Sequence, residues 1–318
     1  MADAFASPTS STRRAGRLAK LLLAATSTIV FLALLEGGAR LLGLQAGFFL
    51  QASQRSCQRR SALLNLEFRP DCTGELAGTR FQTNALGLRG DQVRDDGSVR
   101  ILAVGDSCTW GWQVAQDQSY PAVLQRLLDE RMGAGRHQVI NAGVPGYTSY
   151  QGLLYLRERG LRLDPHIVIV GFGFNDQLED GDVEVQLARA QRLMPVLRLD
   201  DFLLEQSQLY RWARWQGDRA GSAGLGRRVS PERYKANLEQ LVGLARAHGA
   251  APALVSFWGP YGPRKDYRSV LRGVARDQSV ALLTYKGARL DIVHPTAEGY
   301  ASLAGQIYEY LKDAGHVH

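Results

Sequence analysis

The residue types and spacing at three positions suit chemistry on an acyl group. Ser107 ends the tripeptide Gly105-Asp106-Ser107, and Asp291 precedes His294 by three positions near the C-terminus. A serine hydroxyl is a weak nucleophile until a nearby imidazole accepts its proton, and histidine titrates close to neutral pH. A carboxylate beside that histidine holds the ring in one tautomer and stabilises its charged form. Together the three side chains predict a reaction through an acyl-serine intermediate.

Two further clusters contain groups that can stabilise a developing oxyanion. Gly143 and Gly146 offer backbone N–H groups, and Asn175, within Gly173-Phe174-Asn175-Asp176, offers a side-chain amide. Each well-aimed donor contributes roughly 3 to 4 kcal/mol in the transition state. Taken alone, each cluster also fits an ordinary turn or a helix cap. It is their combination in one chain that favours a reactive site.

The elements that must bring these clusters together are strands followed by helices. Short apolar runs lie at 99–104, 137–141, 167–170 and 251–257, and helical spacing of apolar residues follows at 120–131, 150–159, 231–248 and 296–311. Strands that alternate with helices predict a three-layer α/β/α sandwich with a central, mostly parallel sheet. Ligands of such folds bind beyond the carboxyl ends of the strands, which is where the clusters stand. Residues 178–228 interrupt the alternation and are interpreted as an insertion, a candidate lid.

The order and spacing of the clusters closely resemble the SGNH, or GDSL-type, hydrolase superfamily over residues 99–315. This resemblance implies that Ser107 is the nucleophile and that His294 is the general base, oriented by Asp291. It also implies an oxyanion hole formed by the backbone N–H groups of Ser107 and Gly146 and by the amide of Asn175. The segment 83–90, which follows an apolar N-terminus, is similar to that of membrane-tethered bacterial members.

The N-terminal segment has the composition of a membrane anchor or a signal peptide. Residues 21–35 are uncharged, and four basic residues precede them: Arg13, Arg14, Arg17 and Lys20. This run is shorter than the roughly 20 residues that span a bilayer, so it also fits a signal peptide cleaved near 37–39. Apolar residues resume beyond Glu36 and Arg40, which can pair on one helix face and reach the interface. We expect an uncleaved anchor with its N-terminus inside, and cleavage is the alternative.

These observations divide the chain into four parts. We expect residues 1–17 to be a cytoplasmic tail, 18–40 a signal-anchor transmembrane helix and 41–98 an irregular juxtamembrane segment with one hairpin. Residues 99–315 would form the catalytic domain outside the cytoplasmic membrane. In that oxidising location Cys57 and Cys72 are candidates for a disulfide, although two unpaired thiols fit the sequence equally well.

Composition argues against several other classes of protein. The net charge is +7, but the 38 basic residues are scattered and form no known nucleic-acid module, so we expect no nucleic-acid partner. The chain has neither a C-x-x-C pair nor an H-E-x-x-H motif, so we expect no metal and no cofactor.

Three functions therefore compete. The first is a serine esterase that removes acyl groups from an envelope glycan, a lipid or a small ester. The second is an O-acyltransferase in which a sugar hydroxyl replaces water. The third is a non-catalytic glycan-binding module, which the complete set of reactive residues disfavours.

Overall fold

A five-stranded parallel sheet forms the centre of the computed structural model, which describes residues 10–44, 57–221, 226–258 and 265–318. The strand order is β6-β5-β7-β8-β9, and every neighbouring pair is parallel. The strands are β5 (Val99–Gly105), β6 (His137–Gly143), β7 (Ile167–Gly171), β8 (Ala251–Ser256) and β9 (Ala281–Thr284). The predicted α/β class with a parallel sheet is confirmed.

Helices cover both faces of this sheet and complete the predicted sandwich. In chain order the helices are α1 (Ser10–Leu41), α2 (Ser107–Trp110), α3 (Tyr120–Met132), α4 (Ser149–Glu158), α5 (Val183–Arg192), α6 (Met194–Gln206), α7 (Gln208–Gly221), α8 (Pro231–Ala247), α9 (Lys265–Asp277) and α10 (Ala297–Asp313). Helices α3 and α10 contribute to one apolar core, whereas α4, α8 and α9 contribute to the other.

Strand β5 shows how the sequence builds both cores at once. Ile101 and Ala103 belong to the core with α3 and α10, and Leu102 and Val104 belong to the opposite core. Successive side chains of a strand point to opposite faces of its sheet. A continuous apolar run is therefore what a strand buried on both faces requires.

The segment before β5 is more ordered than its sequence indicates. It forms two antiparallel hairpins, β1 (Gln58–Ser61) with β2 (Asn65–Phe68) and β3 (Thr73–Leu76) with β4 (Thr79–Gln82). The sequence pattern predicted one hairpin and missed the second. Strands of only four residues that mix polar and apolar side chains show no sustained periodicity by which they could be recognised. Phe68 stacks on Trp110 with ring centroids 4.3 Å apart, and Phe81 meets the same indole edge-on at 5.0 Å. The hairpins thus share the core of the sandwich.

A disulfide joins the two hairpins. Cys57 and Cys72 are bonded, with their Cα atoms 5.7 Å apart, and Cys108 is a buried free thiol. Each cysteine also extends its own hairpin through the backbone, because Arg69 N–H donates to the Cys57 carbonyl and Thr83 N–H donates to that of Cys72.

Helix α1 contains an apolar stretch, Arg17–Leu41, with a mean hydropathy of 2.2 in its most apolar window. By length and composition this stretch can cross a membrane, and its position near the N-terminus also suits a signal sequence. At 25 residues it is about 37 Å long, longer than the uncharged run suggests. Residues 1–9 of the expected cytoplasmic tail lie outside the described part of the chain.

The insertion consists of α5, α6 and α7. Residues 222–225 of this segment are outside the described residues. Helix α5 packs on β2, α6 packs on β1, and α7 packs on α6 and on α1.

Candidate active site

Ser107 is the first residue of α2 and directly follows the turn at the end of β5. Asp106 caps this short helix by accepting a hydrogen bond from the Cys108 N–H at 2.9 Å. The turn leaves no room for a side chain at Gly105, where a Cβ would lie 2.0 Å from Thr109 Oγ1. The sequence therefore places the serine hydroxyl at the carboxyl end of β5.

The structure connects Ser107, His294 and Asp291 in one hydrogen-bonded chain. Ser107 Oγ lies 2.8 Å from His294 Nε2, and His294 Nδ1 lies 2.6 Å from Asp291 Oδ2. The other carboxylate oxygen accepts the backbone N–H groups of Val293 and His294, each at 2.8 Å. The loop before α10 thus fixes the carboxylate, which in turn orients the ring. This geometry suits transfer of the serine proton to the imidazole.

The environment favours the ionisation states that such a transfer needs. Burial lowers the pKa of His294 below its ordinary value, although the nearby Asp291 carboxylate partly opposes this shift. Burial also acts to raise the pKa of Asp291, but its hydrogen bonds from His294 and Val293 outweigh that effect and lower it. At neutral pH the histidine is therefore available as a neutral base beside an ionised carboxylate.

An aromatic ring covers the histidine. Trp112 stacks on the His294 imidazole with ring centroids 5.4 Å apart and planes inclined by 24°. The tryptophans near Ser107 belong to none of the clusters that the sequence singles out. Their relation to the histidine depends on how the loop after α2 folds back, which the sequence pattern does not reveal.

Asn175 links the loops on either side of the nucleophile. Its side-chain amide donates to the Tyr147 carbonyl at 3.0 Å and to Asp106 Oδ2 at 3.3 Å. Tyr147 directly follows Gly146, whose backbone has a φ of +87° that favours glycine. The structure therefore places the Asn175 amide against both neighbouring loops, with the longer of its two bonds going to the residue before Ser107.

Asn141 and Gly143 brace the loop that carries Gly146. The Asn141 amide donates to the Trp110 carbonyl at 3.2 Å and accepts the Gly143 N–H at 3.0 Å. A Cβ at Gly143 would lie 2.3 Å from the backbone nitrogen of Trp110, so β6 and α2 can approach this closely only because residue 143 is a glycine.

Two buried carboxyl groups lie behind the site. Burial raises the pKa of Asp106 to about 7 and that of Asp176 to about 6, and the charge of Asp176 adds to the shift at Asp106. Asp176 also accepts hydrogen bonds from the backbone and hydroxyl of Ser149 at the start of α4. A carboxyl group that is partly neutral at physiological pH repels a developing oxyanion less than a full charge would.

Arg89 is a supporting residue that sequence reasoning missed. It is 4% exposed, and its guanidinium donates to the carbonyls of Trp110, Gly111 and Val114. Burial lowers its pKa to about 10, so it stays protonated at neutral pH. This arginine from the segment before β5 holds the loop that carries Trp112.

Within the described residues, no group of three or more histidine, cysteine or acidic side chains is arranged to hold a metal ion.

Comparison with solved structures places this chain beside several hydrolases. The psychrotrophic esterase EstA from Pseudoalteromonas sp. is 20% identical with a TM-score of 0.46, over 68% of this chain and 98% of EstA. The lipase/acylhydrolase from Enterococcus faecalis is 18% identical with a TM-score of 0.46, over 69% and 97% of the two chains. The acetyl xylan esterase AlAXEase is 16% identical with a TM-score of 0.45, over 67% and 100%.

No curated protein sequence matches the chain. The model of the GDSL-like lipase/acylhydrolase family matches residues 103–302, which include all the reactive clusters described above. Because this match spans nearly two thirds of the chain, the protein belongs to the GDSL-like lipase/acylhydrolase family and is a serine ester hydrolase.

Proposed function

We propose that this hydrolase removes acyl groups from a cell-envelope glycan or lipid outside the cytoplasmic membrane, through an acyl-Ser107 intermediate. The observation that carries the catalytic part is the hydrogen-bonded chain from Asp291 through His294 to Ser107 Oγ. A nucleophile, a base and an orienting group in contact are the minimum set for covalent acyl transfer.

In the first half-reaction, Ser107 Oγ attacks the ester carbonyl while its proton moves to His294 Nε2. The carbonyl oxygen becomes an oxyanion that the N–H groups of Ser107 and Gly146 and the Asn175 amide bind. Asn175 is able to do this by exchanging its 3.3 Å hydrogen bond to Asp106 for one to the oxyanion. The C–O bond to the alcohol then breaks, and the leaving oxygen takes the proton from His294.

In the second half-reaction, water attacks the acyl-serine and gives a proton to His294. The second tetrahedral intermediate collapses, Ser107 recovers its proton, and the carboxylic acid leaves. Asp291 stabilises the imidazolium in both halves without itself accepting the proton.

The proposed location depends on α1 and on the disulfide. We infer that 1–17 is a cytoplasmic tail and 18–40 an uncleaved anchor, because basic residues before an apolar helix favour the cytoplasmic side. Residues 41–98 and the catalytic domain, 99–315, then lie outside. A Cys57–Cys72 disulfide supports this side of the membrane, because such bonds persist in oxidising compartments.

The catalytic assignment is tested by replacing Ser107 with alanine in the full chain. Ser107→Ala should remove nearly all hydrolysis of short p-nitrophenyl esters, because no acyl-enzyme can form at residue 107. Ser269→Ala is the matched control, since that exposed hydroxyl only donates to the Lys265 carbonyl on α9. Wild-type turnover in Ser107→Ala would contradict the assignment.

O-Acyl transfer to a sugar is the second candidate, and it needs a cover that excludes water. The insertion aromatics Tyr210, Trp212 and Trp215 are the candidate cover from the sequence. Their helix, α7, packs mainly on α1 and α6, and Tyr210 donates to Asp200 at 2.8 Å. It is α5 that borders the proposed oxyanion loop, lining a cavity of about 180 Å³ with Gly146. This arrangement supports hydrolysis over transfer.

A further inference from the structure

Helix α6 carries apolar side chains on its outer face as well as on the face that it buries, where Leu204 lies. Asp200 is buried, and Arg60 of β1 pairs with both Asp200 and Asp201. The opposite face carries Val196, Leu199 and Phe202, which are 61%, 58% and 57% exposed. A surface helix ordinarily buries its apolar stripe and exposes its charges. This second, exposed apolar face indicates that something apolar covers the outside of α6.

Exposed apolar side chains are concentrated in this part of the insertion. Among the described residues beyond 42, eight large apolar side chains are exposed, and five of them lie within 183–202. These five are Val185, Leu193, Val196, Leu199 and Phe202. Scattered exposed apolar residues need no explanation, but a cluster on two successive helices marks an interaction surface.

The end of α6 is attached to the end of α1. Glu36 accepts hydrogen bonds from the Ser207 hydroxyl and from the N–H groups of Gln208 and Leu209 at 2.7, 2.9 and 3.1 Å. Arg40 donates a hydrogen bond of 3.0 Å to the backbone carbonyl of Gln206, which is the last residue of α6. Glu36 and Arg40 lie just past the uncharged run of α1. The turn between α6 and α7 therefore binds the outer end of the apolar helix.

This attachment limits the distance between the end of α1 and the apolar stripe of α6, which consists of Val196, Leu199 and Phe202. Val196 precedes Gln206 by ten residues, which is about 15 Å along a helix. Arg192 and Arg198 are exposed next to the stripe and suit anionic phospholipid headgroups. An apolar helix face bordered by arginines is typical of a helix lying in a membrane interface.

We propose that α6 lies on the surface of the bilayer that α1 crosses, with Val196, Leu199 and Phe202 inserted at the boundary between headgroups and acyl chains. This inference rests on the membrane anchor of the proposed function. Two connected contacts, α1 through the bilayer and α6 along it, fix the orientation of the catalytic domain, whereas a single tethered helix would leave it free to rotate.

Single-cysteine labelling of the full chain tests the proposal. The native cysteines do not compete, because Cys57 and Cys72 are bonded and Cys108 is buried. A bimane label is placed at Leu199→Cys or Phe202→Cys, and the protein is reconstituted in vesicles of phosphatidylcholine and phosphatidylglycerol that carry nitroxide groups near the top of the acyl chains. Matched controls are Leu32→Cys within α1 and Arg276→Cys, an exposed position on α9. Hydrolysis of a soluble short ester confirms that each variant is folded.

We expect the nitroxide lipids to quench the labels at 199 and 202 at least threefold more than the label at 276. Quenching at 32 with none at 199 or 202 beyond that at 276 would overturn the docking of α6 but leave the anchor intact. If nitroxides placed deep in the acyl chains also fail to quench the label at 32, α1 does not cross the bilayer. That outcome would overturn both the anchor and the docking of α6. Cross-linking of Leu199→Cys between two chains, without lipid quenching, would assign the face to a second copy and overturn the proposal.

Discussion

The imidazole of His294 is fixed from three directions. Asp291 binds Nδ1, Ser107 lies at Nε2, and the indole of Trp112 stacks on the ring. Burial lowers the pKa of His294, whereas the Asp291 carboxylate raises it, and we expect the stacked indole of Trp112 to contribute to that burial. The pH dependence of hydrolysis therefore reports on both neighbours separately.

Replacement of Asp291 with asparagine should slow the reaction and shift its pH dependence. The base must be neutral, so kcat/KM rises as pH increases through the pKa of His294, which lies below the ordinary value of about 6.5. Asp291→Asn removes the group that raises this pKa. The rise of kcat/KM on the acidic side of the pH profile, its acidic limb, should therefore move to still lower pH. Loss of the orienting charge should also reduce kcat on the order of 10³- to 10⁴-fold. A pH profile of kcat/KM checks both effects, and a limb that moves to higher pH would contradict the pairing.

Replacement of Trp112 with alanine should shift the acidic limb of the kcat/KM profile to higher pH. Removal of the stacked ring admits water to His294, which relieves the desolvation that lowers its pKa. The acidic limb should therefore rise toward about 6.5, the value for a solvated histidine. Trp112→Phe retains a ring and should stay near the wild-type profile, and Trp212→Phe on α7 serves as a remote control. An unchanged limb in Trp112→Ala would mean that the indole does not shield the histidine.

Among individual residues, the sequence predicts those that would react better than it predicts those that hold the site in place. Ser107, Asp291 and His294 stand in short clusters that each also fit a turn or a helix cap, and it is their combination in one chain that predicts this chemistry. Trp112 and Arg89 have no such cluster, because their roles depend on contacts between segments far apart in the sequence. Only the folded chain brings Arg89 to the carbonyls around the loop after α2.

The two hairpins are the elements that connect the segment before β5 to the site. Their aromatic residues Phe68 and Phe81 enclose Trp110, the last residue of α2. Four strands of the sandwich could be predicted because they are continuous apolar runs, whereas β9, which has only four residues, was not predicted. The hairpins could not be, because their four-residue strands mix polar and apolar residues and gain stability from tertiary contacts.

Loss of Arg89 should destabilise the protein strongly. Arg89→Met leaves the carbonyls of Gly111 and Val114 without their donor. The Trp110 carbonyl, by contrast, keeps its hydrogen bond from Asn141. Each lost partner costs about 1 to 3 kcal/mol. We expect the free energy of unfolding to fall by at least about 2 kcal/mol. Arg89→Lys should restore little of it, because one ammonium cannot reproduce the planar fork of a guanidinium.

Urea unfolding of the full chain in detergent measures this loss. Arg80→Met is the matched control, because Arg80 is an exposed arginine on β4 of the same segment. Its free energy of unfolding should change by less than about 0.5 kcal/mol. Equal stability of the Arg89 and Arg80 variants would show that the hairpin segment does not support the active-site loops.

At the scale of the whole molecule, the insertion lies between helix α1 and the active site. Helix α5 lines the cavity beside Gly146, whereas the turn from α6 to α7 binds the end of α1. The sequence indicated an insertion and an anchor separately. Their contact could not be predicted, because it depends on Glu36, a residue whose pairing with Arg40 within α1 already explains its presence.

The last prediction concerns which acceptor reaches the acyl-serine. Both hydrolysis and transfer form acyl-Ser107, so the triad alone does not separate them. A transferase must hold an acceptor hydroxyl at attack distance in a covered cleft, and the aromatic helix α7 instead packs on α1 and α6. We therefore expect free acid to be the main product when an acyl donor is consumed in the presence of a candidate glycan. The experiment quantifies free acid and acylated glycan separately across acceptor concentrations, with Ser107→Ala as the blank for spontaneous reaction. If acylated glycan dominates at realistic acceptor concentrations, the acceptor is a sugar and the protein is an acyltransferase built on an ester-hydrolase fold.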